Sequence, residues 1–158
     1  DGRRPVLPPY LSRKRSNKFL VTVKGQELLE PEKAGRLYRL LFLTYMRKLN
    51  IGFSDRMPPL PGLQSTMAYT IYHLGHIAKT EVKLEDIYRK IILPAVLEEV
   101  DHIAEILIHA SFIIRHRVIE PLEYAGLLDC HREKVKFFPK ITSLKISQLF
   151  LNFVSFKL

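Results

Sequence analysis

Cysteine is almost missing from this 158-residue chain. Cys130 stands alone, so no disulfide can form within the chain, and this agrees with a reducing, cytoplasmic setting. With 47% hydrophobic residues, a chain of this length buries roughly two thirds of its unfolded surface, enough for one domain or two small ones without a metal or disulfide staple. Glycine is scarce as well, seven in all, which leaves few turns able to approach a ligand closely. There is no glycine-rich phosphate loop, no paired-cysteine zinc spacing, no Gly-x-Ser-x-Gly and no His-Glu-x-x-His. Catalysis is therefore left without a candidate set of residues, and no cofactor is expected.

Long apolar runs are lacking too. The longest stretch free of Asp, Glu, Lys and Arg covers residues 57–78, long enough to span a bilayer by length alone. Pro58, Pro59, Pro61 and Gly62 break its first third, and Gln64, His73 and His76 would be unpaired in hydrocarbon, so no membrane helix is expected. Residues 1–9 are charged and proline-rich rather than apolar, unlike a signal peptide, and the opening Asp1 suggests a fragment of a longer protein.

What the chain does have is positive charge, unevenly placed. Its net charge is +9, yet residues 1–50 hold 12 Lys/Arg against 4 Asp/Glu, whereas residues 51–158 hold 13 against 12. The densest part is Arg13, Lys14, Arg15, Lys18 and Lys24, five cations in twelve residues with no acid among them. Such a cluster gains affinity for polyanions by releasing counterions from phosphates, and double-stranded DNA is the first partner it implies. The plainer alternative is a solvated edge whose lysines keep a hairpin from pairing with another sheet.

The pattern along the chain is mainly helical with small hairpins. Residues 10–15 and 18–23 read as two strands joined at Ser16-Asn17, and Gly25 leads into a helical segment over 26–30. Pro31 and Glu32 suit the first turn of a helix whose broad face over 33–49 carries Leu37, Leu40, Leu41, Tyr45 and Leu49. A further helix is predicted over 64–78, with Met67, Ile71, Leu74 and Ala78 on one face, and another from Lys83, with Leu84, Ile87, Tyr88 and Ile91. The longest candidate runs over 95–117, with Val96, Val100, Ile103, Leu107, Ala110 and Ile114 as its stripe, and Glu120-Pro121 should interrupt or kink the helical run there. Beyond Gly126 the period changes. Residues 127–130 and 134–141 read as strands around a polar turn His131-Arg132-Glu133, and 143–153 as a last short helix or a buried strand, the helix favoured.

Two stretches carry a resemblance. The basic hairpin Arg13-Lys14-Arg15-Ser16-Asn17-Lys18, the strand ending in Thr22-Val23, then Lys24-Gly25 and Leu28-Leu29 resemble the wing and following helix of winged-helix proteins. Near the end, residues 118–129, closing in Gly126-Leu127-Leu128, look like a third helix, and 135–142 like a return strand. The resemblance implies a tandem winged-helix-like architecture, with residues 1–30 the first wing-like hairpin and the start of the helical region, or the end of a truncated domain, and 31–158 a helical domain ending in a second hairpin. By family it implies a helix entering the DNA major groove while the wing touches the backbone or minor groove. Residues 3–9 are broken by proline, so the first recognition helix would lie upstream of Asp1. The layout is also similar to helical regions of uncharacterised bacterial proteins related to a plasmid open-reading-frame family, through Lys24-Gly25, the aromatic helix from Tyr38 to Tyr45, Pro61-Gly62-Leu63-Gln64 and Glu120-Pro121-Leu122-Glu123. That second resemblance implies a scaffold without an assigned activity.

Histidines invite a metal reading. His102, His109 and His116 recur every seven residues, and Glu99-x-x-His102 has a form used by di-iron bundles. No second Glu-x-x-His is present, and seven helical residues advance about 10 Å, too far for these histidines to share one ion. A partly exposed histidine stripe is the better reading, and no metal site is expected. Tyr69, His73 and His76 share a helical face and read as rings packed at a core boundary with wet polar tips. Cys130 and His131 are neighbours in a strand and point to opposite faces, so they make a poor nucleophile pair. The expectation is thus a non-enzymatic nucleic-acid-binding domain contacting phosphates through Arg13, Lys14, Arg15, Lys18 and Lys24. The competing expectation is a structural or protein-interaction domain in which Tyr38, Phe42 and Tyr45 pack on a protein partner or a missing N-terminal region.

Overall fold

Thr22 closes a strand and opens a helix. In the computed structural model its side-chain oxygen accepts the Gly25 backbone N–H at 3.1 Å, the bond an N-cap provides, and the chain turns from hairpin to helix at that residue. The structure describes residues 12–15, 18–48, 58–106, 109–134 and 139–155. The described residues are mainly helical with small antiparallel sheets, and the chain divides into two compact units, Asp1–Pro59 and Leu60–Leu158.

In the first unit, β1 (Ser12–Arg15) pairs antiparallel with β2 (Lys18–Val21), the hairpin expected from the sequence. Helix α1 (Val23–Leu28) follows at once, starting earlier than the predicted segment because Thr22 caps it, and it buries Leu28. Pro31 opens a 3₁₀ turn, Pro31–Lys33, tied down by the Lys33–Glu30 ion pair at 2.7 Å, and α2 (Ala34–Lys48) continues from it. On α2, Met46 is buried, the Tyr38 and Phe42 rings lie parallel with centroids 6.3 Å apart, and Leu41 and Leu43 are exposed. Burial pushes the Tyr38 phenol above its ordinary pKa.

The second unit begins with α3 (Pro61–Ser65) and α4 (Met67–Ile77). Met67, Ile71, Leu74 and Ala78 are all buried, so the predicted face is the packed one. Strand β3 (Val82–Lys83) leads into α5 (Leu84–Ile91), which buries Leu84, Ile87 and Ile91 and carries Glu85 and Asp86 at its positive end and Arg89 and Lys90 at its negative end. Next come α6 (Pro94–Ile106) and α7 (Ala110–Ile114). The single helix predicted over 95–117 is therefore corrected: α6 is described as far as Ile106, residues 107–108 lie outside the described residues, and His109, at φ −52° and ψ 137°, is extended and begins α7 afresh. The apolar stripe passes through the break, which is why spacing alone does not reveal it.

A π turn, Arg115–Ile119, joins α7 to α8 (Glu120–Tyr124). Pro121 supplies the cause. It has no amide proton for the Arg117 carbonyl and its ring crowds that carbonyl, so the helix widens and the Glu120 N–H reaches back five residues to the Arg115 oxygen. Gly126, at φ 73°, ends α8: its N–H bonds to Glu123 O at 2.7 Å and Leu127 N–H to Leu122 O at 2.9 Å, the paired bonds of a Schellman ending that needs a left-handed residue there.

Strands β4 (Leu128–Lys134) and β5 (Pro139–Ile146) complete a three-stranded antiparallel sheet in the order β3-β5-β4. The turn predicted at His131-Arg132-Glu133 is corrected. These residues lie within β4: His131 and Glu133 are exposed, and the half-buried Arg132 between them, opposite the buried Ile141, is paired with Glu123. Leu128, Ile141, Leu144 and Ile146 face the core. Of the 143–153 segment the first part is strand and only α9 (Gln148–Phe153) is helix. Ser147 makes the switch, accepting the Phe150 N–H at 3.1 Å and donating its hydroxyl to Gly126 O at 2.6 Å.

Candidate nucleic-acid interface

Pairing register decides how the basic residues are grouped. Arg15 stands opposite Lys18, Lys14 opposite Phe19, Arg13 opposite Leu20 and Ser12 opposite Val21. Residues directly opposite share a face and alternate along each strand. Arg13, Arg15, Lys18 and Leu20 therefore occupy one face of the ribbon, and Ser12, Lys14, Phe19 and Val21 the other. Like charges placed directly opposite are unfavourable by a few tenths of a kcal/mol to ~1 kcal/mol, and a phosphate between them removes that cost. Lys24 falls in the first turn of α1, after the ribbon has ended. The linking residues Ser16 and Asn17, and the side chains of the five cations, lie outside the described residues.

In residues 60–158 several cations are held by the protein's own carboxylates. Arg115 Nε lies 3.5 Å from Glu120 Oε1, and His116 Nδ1 lies 2.5 Å from Glu120 Oε2. The Arg115 guanidinium also sits over the Phe112 ring at 4.8 Å and donates to His116 Nε2 at 3.2 Å. Arg117 is 2% exposed. Arg132 forms a two-pronged pair with Glu123 that raises its pKa, and Arg89 does the same with Asp101, at 2.9 and 3.1 Å. Lys140 and Lys145 pair with Glu85 and Asp129. Arg115, His116 and Arg117 thus offer no basic surface.

The histidines separate in the same way. His102 lies on α6, His109 precedes α7 and His116 lies in the π turn. Tyr69 and His73 rings are 4.2 Å apart and Tyr72 and His76 rings 4.5 Å, a packed aromatic row along α4. Among the described residues, no group of three or more His, Cys, Asp or Glu is arranged to hold a metal ion, and no helix is long and apolar enough to cross a membrane. Burial, reinforced by the charge of Glu123, pushes the Cys130 thiol up to about 12, the opposite of an activated nucleophile.

The interruption expected at Glu120-Pro121 is present as the π turn, while a polar recess over the sheet beside Ser143 had no sequence signal, because it depends on pairing between distant strands. No family model matches the chain, and no curated protein or solved structure matches it either.

Proposed function

We propose that this chain is a non-enzymatic nucleic-acid-binding protein of tandem winged-helix type, acting in the bacterial cytoplasm. It engages double-stranded DNA through the phosphate backbone with Arg13, Lys14, Arg15, Lys18 and Lys24. The observation that carries this reading is the β1–β2 register, which groups Arg13, Arg15 and Lys18 on one face of a two-stranded ribbon. As a wing, this ribbon touches the DNA backbone or minor groove, and phosphate contacts of this kind set position without reading bases. The winged-helix assignment is supported in residues 60–158 by the order of elements: α4, the short strand β3, α5 and further helices, then the β4–β5 hairpin with β5 in the middle of the sheet.

The test is fluorescence anisotropy with a labelled 20-base-pair duplex across a salt series. Replacing the five cations by Gln should weaken binding to all sequences alike and flatten the slope of log K against log salt by up to about 4.5, at ~0.9 per phosphate contact. Equal affinity of the parent and the five-fold variant at low salt would end the reading.

A second reading, an interaction domain without nucleic-acid binding, is favoured by apolar exposure. Tyr124 is 83% exposed and Leu151 58%, while the cations around Glu120 and Glu123 are neutralised internally. Absence of any duplex binding by the parent chain leaves this second reading standing.

A further inference from the structure

Helix α2 carries four cations, Arg36, Arg39, Arg47 and Lys48, and neither Asp nor Glu. Its apolar side is taken up by the fold: Met46 is buried, and Leu37, Tyr38, Leu40 and Phe42 are half-buried. Arg36, Arg39, Leu43 and Arg47 are exposed. At about 100° per residue these four positions fall within an arc of roughly 80°, so they make one stripe along the helix. Leu41, also exposed, falls on another side.

The arginines of this stripe are not neutralised by the protein. Arg36, Arg39 and Arg47 form no ion pair or side-chain hydrogen bond among the described residues. Of the acids just before the helix, Glu30 is taken by Lys33, and Glu32, in the 3₁₀ turn, forms no pair with Arg36. Arg36 also stands in the first turn of α2, where the helix dipole disfavours a cation, and it repels Arg39 three residues on. An external anion relieves both costs.

Spacing selects the anion. Helical residues rise about 1.5 Å each, so Arg39 and Arg47 stand about 12 Å apart along the axis, with Arg36 about 4.5 Å beyond Arg39. The major groove of B-DNA is about 12 Å wide. A helix laid across its mouth brings Arg36 and Arg39 to the phosphates of one strand and Arg47 to those of the other, with Leu43 between them over the groove. A lipid surface fits less well, because an interfacial helix inserts its apolar face among the acyl chains and that face of α2 is packed within the protein.

We infer that α2 is a second DNA-contacting element, lying across the major groove with its arginines on the phosphates of both strands. This rests on the nucleic-acid reading above and adds to the ribbon a contact on a different element. The winged-helix resemblance does not imply it, since that resemblance puts the groove helix upstream of Asp1 and α2 follows the ribbon.

The full chain and the triple variant Arg36→Gln, Arg39→Gln, Arg47→Gln are compared by anisotropy with the same labelled duplex and salt series. Gln is close to Arg in helix propensity and the replaced side chains are exposed, so the unfolding midpoint should hold. Duplex affinity at low salt should fall about tenfold or more, and the salt slope should flatten by up to about 2.7, at ~0.9 per phosphate contact. Leu41→Gln should change neither. Methyl green, a major-groove dye, should displace the parent more readily than the triple variant. A triple variant that binds like the parent, while the five-fold hairpin variant loses binding, overturns this inference and leaves the ribbon reading in place. The reverse pattern supports α2 and ends the ribbon reading, and a parent without duplex affinity ends both. Equal displacement by methyl green overturns the groove placement. Binding to phosphatidylserine vesicles that is lost in the triple variant, with duplex binding unchanged, overturns the assignment to DNA.

Discussion

Phe150 of α9 rests on the bare backbone of Gly75 in α4: a Cβ at position 75 would stand 2.9 Å from one ring carbon and 3.1 Å from the next. The ring is only 4% exposed and cannot swing into solvent without losing its burial. Gly75→Ala gains about 1 kcal/mol of helix propensity but forces an overpacked contact costing about 1–3 kcal/mol, so the net expectation is destabilisation. Phe150→Leu removes the obstruction. In that background Gly75→Ala should be neutral or stabilising, a coupling of at least ~1 kcal/mol measurable by urea unfolding in a double-mutant cycle. Additive effects would show that the ring yields freely.

Thr70 stands on the packed face of the same helix, fully buried, with a hydroxyl oxygen that has no hydrogen-bond partner. An unmade hydrogen bond in the interior costs about 1–3 kcal/mol, and Val has the same shape without the polar atom. Thr70→Val should raise the unfolding free energy by about 1 kcal/mol. Thr70→Ser keeps the polar atom, removes a methyl and should lower it by about 1 kcal/mol. A destabilised Thr70→Val protein would mean that the hydroxyl is satisfied in solution.

These two sites show what local sequence does and does not carry. The face formed by Met67, Ile71, Leu74 and Ala78 was legible because helical spacing alone defines it, and the first hairpin because Ser16-Asn17 separates two strand-like runs. The break at His109 was not legible, since the apolar stripe runs on through it. His131, Arg132 and Glu133 read as a turn because two exposed strand residues flank an arginine whose partner, Glu123, comes from α8, and nothing local distinguishes that polar run from a turn. The recess beside Ser143 had no local signal: Ser143 meets Glu81 across 62 residues, and only the β3–β5 register brings them together. Of the basic site, sequence supplied the residues, and strand pairing supplied their division between two faces of the ribbon.

Cys130 yields a pH dependence with a definite sign. Its thiol is pushed from 9.0 up to about 12, first by burial and then by the charge of Glu123, with Arg132 opposing. Below pH 9 the thiol is protonated in both states and has no effect on stability. Between about pH 9 and 12 the unfolded thiol ionises while the folded one does not, so the unfolded state gains and stability falls across that window. Cys130→Val should fall less steeply than the parent over the same range in urea unfolding. Thiol alkylation of the native protein at pH 8 should be slower than in denaturant by on the order of a hundredfold, and faster in Glu123→Gln than in the parent. Native labelling at the rate of a free thiol would contradict the assigned burial.

Arg115 and the hairpin cations lead to opposite expectations for nucleic-acid binding. Glu120 holds both Arg115 and His116, and Arg117 is shielded from solvent, so this turn presents little net positive charge. Arg115→Gln should leave duplex affinity and its salt slope unchanged, whereas Arg15→Gln, opposite Lys18 on the ribbon, should lower affinity several-fold and reduce the slope by ~0.9. Arg117→Ala should reveal itself in stability instead, lowering it by about 1–3 kcal/mol through loss of a buried side chain. Glu120→Gln is the sharpest comparison. It loosens the hold on Arg115 and His116, and a phosphate-facing turn would respond with tighter, more salt-dependent binding, whereas a ribbon-only interface predicts no change. Tighter binding by Glu120→Gln together with an unaffected Arg15→Gln would move the interface from the ribbon to the π turn.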